Sequence, residues 1–168
     1  MHKVFGEKAP VPYYDRKGAY LIPVKDNKIA VIKTPKGLFF LGGGIENGET
    51  DEACIRRECL EESGVEVTIG EKIGSAETFT THPRLGPFHP IQTYYAGEIL
   101  KQVQAPLEKD HTLLFGSFQE LTASCLPKCK TGRCRNFGKT LTKQIIKRRC
   151  KKQRLFCYTF FFKVFNRI

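Results

Sequence analysis

The residues best suited to chemistry lie in one stretch, Gly42 to Val65. Gly43 is followed after five residues by Glu49, and after seven more by Arg57-Glu58-Cys59-Leu60-Glu61-Glu62-Ser63-Gly64-Val65. On a helix turning about 100° per residue, Glu58, Glu61 and Glu62 fall at roughly 0°, 300° and 40°. Three carboxylates then share one face within a single turn, while Ala53 and Leu60 point away and are available for packing. Such charges repel one another, and a divalent cation among them removes the conflict. An all-oxygen donor set without Cys or His favours magnesium or manganese over zinc. Just before the helix, Gly42-Gly43-Gly44 read as a loop whose missing Cβ atoms let the backbone approach a phosphate closely. Carboxylate-bound magnesium completes its shell with waters and substrate phosphates. The chemistry implied is metal-assisted hydrolysis of a phosphate anhydride. Taken singly, Glu-x-x-Glu-Glu reads as the solvated face of a surface helix, the glycines as an ordinary turn and Arg57 as a surface charge. Their spacing as a set points to a site.

These residues need elements to hold them. Residues 18–24 and 28–33 read as two strands joined by a hairpin-like turn at Lys25-Asp26-Asn27. Leu38 to Leu41 is a short apolar run that enters the glycine loop. Residues 50–63 have helix-forming composition, with Thr50 as N-cap, Asp51 and Glu52 at the positive end of the dipole, and Gly64 as the terminating residue. Strand-like segments follow at 65–69, 71–79 and 91–100, with a Pro-, Gly- and His-rich loop over 80–90. Residues 112–118 read as a further strand and 118–123 as the start of a helix. The order strands, helix, strands predicts an α/β or α+β fold in which helix packs on a mixed sheet.

The stretch resembles the Nudix box of the MutT-like hydrolases, G-x5-E-x7-R-E-U-x-E-E-x-G-U, where U is a bulky aliphatic residue. Gly43, Glu49, Arg57, Glu58, Glu61, Glu62 and Gly64 meet every fixed position, and Val65 is the final U. Cys59 departs from the pattern at the first U, mildly, since cysteine behaves as a small buried hydrophobe. Leu41 stands where many members carry proline. The resemblance covers about residues 15–120 and implies an α/β/α sandwich around a mixed β-sheet. It implies conversion of a nucleoside diphosphate linked to another group into a nucleotide and a phosphorylated product, by water attack on phosphorus. Position by position, it implies Glu58 and Glu62 as the principal metal ligands, Glu61 on the metal or its waters, and the Gly42 carbonyl as a further ligand. It implies Glu49 and Arg57 as a pair that orients the catalytic helix. The general base varies among members, and Glu98 and Glu108 are downstream candidates. The box does not discriminate among the family's substrates; the small size of the chain favours a nucleoside triphosphate, oxidised ones included, or another small nucleotide. Gly43, Gly44, Phe39 and Tyr95 are candidate substrate contacts, with Phe79, Phe88, Tyr94, His82 and His89 as further possibilities whose alternative is core packing.

The chain has 168 residues, enough for one domain with its own core. It shows neither an apolar run long enough to span a membrane nor a secretory signal pattern, so a cytoplasmic enzyme is expected. The net charge of +11 is unevenly placed. Residues 121–168 hold 14 of the 28 Lys and Arg and no acidic residue, which leaves 14 basic against 17 acidic, a net of −3, in residues 1–120. A catalytic domain over 1–120 and a basic, Cys- and Phe-rich tail over 121–168 are therefore expected. Cys125, Cys129 and Cys134 contain no C-x2-C pair, and all four histidines lie outside the tail, so no zinc site is expected there.

The tail reads in three ways: a nucleic-acid or membrane-surface arm, a solvated extension, or translation in a shifted frame that replaces the last helix. The third is preferred. If the Lys128 codon ends in A, reading one base earlier permits ATG-CAA-AAC-TGG, which spells methionine, glutamine, asparagine and tryptophan. Many proteins resembling this one end in a helix with a tryptophan-alanine pair near that point. On that reading the tail's charge carries no function, and no nucleic-acid or membrane partner is expected, only a nucleotide-like small molecule. The alternative is a non-catalytic nucleotide-binding Nudix module with a basic nucleic-acid-binding tail. Neither a monomer nor a homodimer is favoured.

Overall fold

The computed structural model describes residues 2–117 and 119–121. Among the described residues, nine strands form one mixed sheet: β1 (His2–Phe5), β2 (Tyr14–Lys25), β3 (Lys28–Thr34), β4 (Gly37–Phe39), β5 (Leu41–Gly44), β6 (Val65–Thr78), β7 (Thr80–His82), β8 (Gly86–Gln102) and β9 (Thr112–Gly116). A single helix, α1 (Asp51–Ser63), separates β5 from β6. The main path of the sheet runs β1-β6-β8-β2-β3-β4. β2 lies parallel to β8 over Tyr14 to Pro23, and β6 lies antiparallel to β8. On its other edge, β2 pairs antiparallel with β5, matching Gly18, Ala19, Tyr20 and Leu21 to Gly44, Gly43, Gly42 and Leu41. β3 carries β4 on one edge and β9 on the other.

The β2–β3 hairpin closes as its sequence demands. Asp26 and Asn27 take φ values of 51° and 59°, the paired left-handed conformation of a tight hairpin, which Asp and Asn tolerate better than other side chains. Strand alternation then sends residues to two cores. Ala19, Leu21, Ala30, Ile32 and Leu41 pack with Cys54, Ile55 and Cys59 of α1. Ile22, Ile29, Val31, Phe40 and Tyr94 form the other face, joined by Leu121. Both faces of β3 are covered, which is why its Ile29-Ala30-Val31-Ile32 run is apolar throughout. Burying a side chain such as Leu21 or Ile55 contributes roughly 1.5–3 kcal/mol. A few such contacts fix α1 on the sheet. The mixed sheet with α1 on one face agrees with the expected fold class, and helical residues 119–121 bring Leu121 to the core on the other.

Three local expectations are corrected. Gly42-Gly43-Gly44 is not a loop but most of β5, because its backbone completes the ladder with β2. Residues 80–90 are not an open loop: Thr80–His82 and Gly86–Phe88 pair as a hairpin, turning at Gly86 with φ 72°. The packing face of α1 is Cys54, Ile55, Cys59 and Ser63, whereas Ala53 is exposed. Cysteine supplies the apolar stripe that leucine was expected to supply. Strand β1, which adds parallel to β6, has no periodic signal in its four residues. The proposed division of the chain at residue 120, the frame of the tail and its cysteines fall on residues outside those described. Among the described residues, no helix is long and apolar enough to cross a membrane.

Candidate active site

α1 is placed by its two ends. Thr50 accepts a hydrogen bond from Ala53 N–H, and Gly64 closes the helix at φ 67°, donating its N–H to the Cys59 and Leu60 carbonyls. Cys54 Sγ lies 3.5 Å from the Gly43 carbonyl and 3.4 Å from that of Gly44, seating the first turn of α1 on β5. Burial pushes the Cys54 thiol up to about 11 and raises that of Cys59 as well, so both are packing groups rather than nucleophiles.

Arg57 organises the acidic side chains. Its Nε and Nη2 donate to Glu49 Oε1 and Oε2 at 2.9 and 3.0 Å, a bidentate fork. Nη2 also reaches the Gly44 carbonyl at 3.1 Å, and Nη1 reaches Glu58 Oε1 at 3.0 Å and Glu61 Oε2 at 3.2 Å. These hydrogen bonds, Glu49 first, lift the guanidinium above its ordinary range, and the Arg57 hydrogen bond holds the Glu49 carboxyl below its own. The arginine thus ties α1, the Glu49 turn and β5 into one body.

The three carboxylates of the helix differ in setting. Glu61 is 43% exposed, against 18% for Glu58 and 16% for Glu62, so Glu58 and Glu62 sit in the drier environment. Burial raises Glu58, countered by Arg57. Burial, then the Glu58 charge, pushes Glu62 up to about 8, despite the Gly42 amide at 3.5 Å. His111 adds a third direction to the site. Its Nδ1 is buried, makes no hydrogen bond and lies 3.7 Å from Glu62 Oε1. Its Nε2 faces Glu108 at 3.8 Å and Asp110 at 4.0 Å. Glu108, Asp110 and His111 hold donor atoms within 4.8 Å of one another.

The glycines of β5 answer three separate demands. Gly42 has φ 126°, and a Cβ there would lie 2.8 Å from Tyr20 Cα. A Cβ on Gly43 would strike the Glu58 carboxylate. A Cβ on Gly44 would lie 2.6 Å from Arg16 Nη2.

Beside these groups opens a cavity of about 720 Å³. Glu62, Gly42, Glu108, Asp110 and His111 line it, as do Arg16, Lys17, Lys36, Phe39, His82 and Phe88. Gln92 forms part of the floor, buried, and accepts a hydrogen bond from Tyr94 at 3.0 Å. Among the sequence candidates, Phe39, Gly42, Glu62, His82, Phe88 and Glu108 line the cavity. Gly43 and Gly44 sit beneath Glu58 and Arg16 instead. Tyr95 packs on the α1 face of the sheet and donates to the Asp51 carboxylate at 2.8 Å, tying the first turn of the helix to β8 rather than lining the cavity. Tyr94 belongs to the core, and Phe79 stacks on His89 at 4.2 Å. His89 is itself held between Asp15 and Glu77. Glu98 is exposed on β8 and is not part of the lining. Arg16, Lys36, Gln92, Asp110 and His111 were not singled out by sequence; only the nearness of His111 to Glu108 could have signalled any of them.

Comparison with known proteins follows this geometry. No curated protein matches the chain significantly. Among solved structures, a NUDIX hydrolase from Nitrosomonas europaea superimposes with a TM-score of 0.58 at 18% identity, covering 73% of this chain and 87% of its own. The E. coli ORF135 protein, known from a solution structure, gives a TM-score of 0.51 at 23% identity, covering 67% of this chain and 80% of its own. Both likenesses concern the fold. The sequence matches the NUDIX domain over residues 9–125, a span that contains the Arg57 hub, the carboxylates of α1 and the cavity wall. With the box residues and their arrangement in agreement over that span, the chain belongs to the Nudix hydrolase family.

Proposed function

We propose that this chain hydrolyses the diphosphate linkage of a nucleoside diphosphate joined to another group, releasing a nucleotide and a phosphorylated product. The observation that carries this reading is the setting of Glu58 and Glu62. Two carboxylates stand partly withdrawn from water, the Glu58 charge raises the protonation of Glu62, and Glu62 lines a cavity beside the Gly42 backbone and the unpartnered His111 nitrogen. Such an oxygen-rich, charge-frustrated donor set fits a hard divalent cation, magnesium or manganese. Glu58, Glu62 and the Gly42 carbonyl would hold it, with Glu61 at the solvent side. The ion supplies charge neutralisation on the phosphates and activation of a water.

The chain's own residues do the rest. The Glu49–Arg57 fork keeps Glu58 turned toward β5, so that the carboxylates meet the substrate preorganised. Glu108, in the cavity wall beside Asp110 and His111, is the candidate to take a proton from the attacking water. The water oxygen bonds to phosphorus, the bridging P–O bond breaks, and the proton passes to solvent. Phe39 and Phe88 offer aromatic surfaces to a nucleobase. We place the catalytic unit within residues 1–120, and the free, buried Cys54 and Cys59 accord with a reducing, cytoplasmic setting. Release of nucleoside monophosphate from a nucleotide panel, with magnesium and with chelator, tests the reading on the wild type and on Glu62→Gln. The expected result is magnesium-dependent turnover that falls on the order of 10²-fold or more in the variant, with an unchanged far-ultraviolet spectrum. Equal turnover in the two proteins would overturn the assignment.

A further inference from the structure

We propose that Gln92 reads the hydrogen-bonding edge of the substrate's nucleobase from the floor of the cavity, and so selects among nucleotides by their base. The inference rests on the diphosphate-hydrolase reading above and adds a specificity-determining residue to it.

Gln92 is 3% exposed and lines the cavity, so whatever reaches its amide arrives through the cavity. Two tyrosines hold that amide. Tyr94 donates its hydroxyl hydrogen to Oε1 at 3.0 Å. Tyr20 shares a hydrogen bond with the same side chain. Burial pushes the Tyr20 phenol up to about 12, and the bond to Gln92 opposes that rise, as one donated by the amide nitrogen does. Gly18 makes the arrangement possible. It pairs with Gln92 across β2 and β8, and a Cβ on it would lie 3.0 Å from Tyr20 Cε2 and 3.3 Å from Tyr20 Oη. The Tyr20 ring therefore leans along β2 over Gly18, towards the amide. Tyr20 and Tyr94 stack with ring centres 5.8 Å apart, which steadies both hydroxyls.

A primary amide has two N–H donors and two carbonyl lone pairs. The tyrosines meet one of each, and no other partner of the Gln92 side chain stands among the described residues. One donor and one acceptor are left at a buried position, where leaving them unmet is costly. The edge of a nucleobase supplies such partners, in a pattern that differs from base to base. Distance favours the base over the ribose. Gly42 pairs with Tyr20, and Tyr20 with Tyr94, so two strand spacings separate Gly42 from Tyr94. Gln92 lies two residues back along β8. Together these put roughly 12 Å of sheet between Gly42 and Gln92. With the diphosphate beside Glu62 and Gly42, the ribose spans that interval and the base arrives at the amide.

The test uses the full chain and Gln92→Met, which keeps the length of the side chain and removes the amide. The ligands are ribonucleoside triphosphates that differ only in base. The wild type is expected to prefer one base, and the ratio of its kcat/KM to that of the poorest base to fall about 10–100-fold in the variant. Calorimetric titration with magnesium present reads the same contact without turnover. A non-hydrolysable form of the preferred nucleotide is expected to lose a similar factor in affinity, and methylenediphosphonate, which has no base, to lose none. No loss for the nucleotide, or an equal loss for both ligands, would overturn the role of Gln92. A loss that disappears with the 2′-deoxy nucleotide would assign the amide to the ribose and overturn it too. Should Gln92→Met fail to fold, the wild type decides alone. Among analogues of the preferred nucleotide that each lack one polar group of the base edge, at least one is expected to bind about 10-fold more weakly; equal affinity throughout would overturn the inference. Absence of turnover in the wild type, with affinity still dependent on the base and on Gln92, would instead overturn the hydrolase reading and leave Gln92 as a base-reading residue.

Discussion

At the scale of single residues, the site is a set of charges that must be kept apart or brought together. Arg57 does the second, and its replacement by lysine keeps the charge while losing the fork to Glu49 and the simultaneous reach to Glu58 and Gly44. Arg57→Lys is expected to lower kcat by about 10–100-fold, as loss of a ligand-orienting contact does, with a smaller change in KM; unchanged kcat would show that the fork has no bearing on Glu58. Glu62 bears on stability. In the fold its carboxyl keeps a proton up to about pH 8, while its ordinary value is 4.5. The native state is thus favoured fully below the lower value, and that advantage fades as pH rises through the higher. In chelator, the melting temperature is expected to fall between pH 4.5 and about 8 and to level off above, and magnesium is expected to restore more of it at pH 9. Glu62→Gln should flatten the profile, and a flat profile in the wild type would refute the assignment of a dry Glu62. The carboxylates and Arg57 were legible in the sequence because their spacing is local to one helix. Arg16 was not, since its contact with Gly44 arises only when β2 and β5 pair. The glycines were legible as important but not in role: without a side chain, nothing in the sequence distinguishes a loop from a strand that must pass close to Tyr20, Glu58 and Arg16.

Elements carry the site through their ends. α1 projects Glu58 and Glu62 correctly because Thr50 and Gly64 fix where it starts and stops. Both caps were readable, since capping is chemistry between near neighbours. The packing face was not read correctly, because it depends on what β5 and β6 present, and here Cys54 and Cys59 lie buried against them. The β7–β8 hairpin was likewise missed: Pro83, Pro87 and Pro90 hide the alternation that its backbone pairing reveals. At the helix end, Gly64 combines φ 67° with a close approach to Gln104, whose carbonyl carbon would lie 2.8 Å from a Cβ. Gly64→Ala is expected to destabilise the chain by about 1–3 kcal/mol, the cost of a strained left-handed residue together with displaced backbone. A denaturant midpoint within error of the wild type would show that the 64–104 contact yields freely.

For the whole molecule, the separation of charge matters more than its sum. A segment of net −3 holding the site is followed by 48 residues with 14 basic and no acidic side chains. Basic residues so concentrated attract any polyanion through counterion release, whatever their origin, and such attraction is steeply dependent on salt. A chain whose activity resides in the cavity beside Glu62 has no need of that attraction. Duplex DNA of any sequence is therefore expected to be retained at 50 mM salt and released at 200 mM, a loss of roughly 10³–10⁵ in affinity if six to ten phosphates are engaged. Saturating DNA is expected to leave kcat/KM for the small nucleotide unchanged. Filter binding at the two salt concentrations, run beside the hydrolysis assay, separates the cases. Binding that survives 200 mM salt and prefers one sequence would make residues 121–168 a functional nucleic-acid arm, and the chain more than a nucleotide hydrolase. Loss with salt, and indifference of the cavity to DNA, would locate the function in the sheet and helix whose two cores meet across β2 and β3.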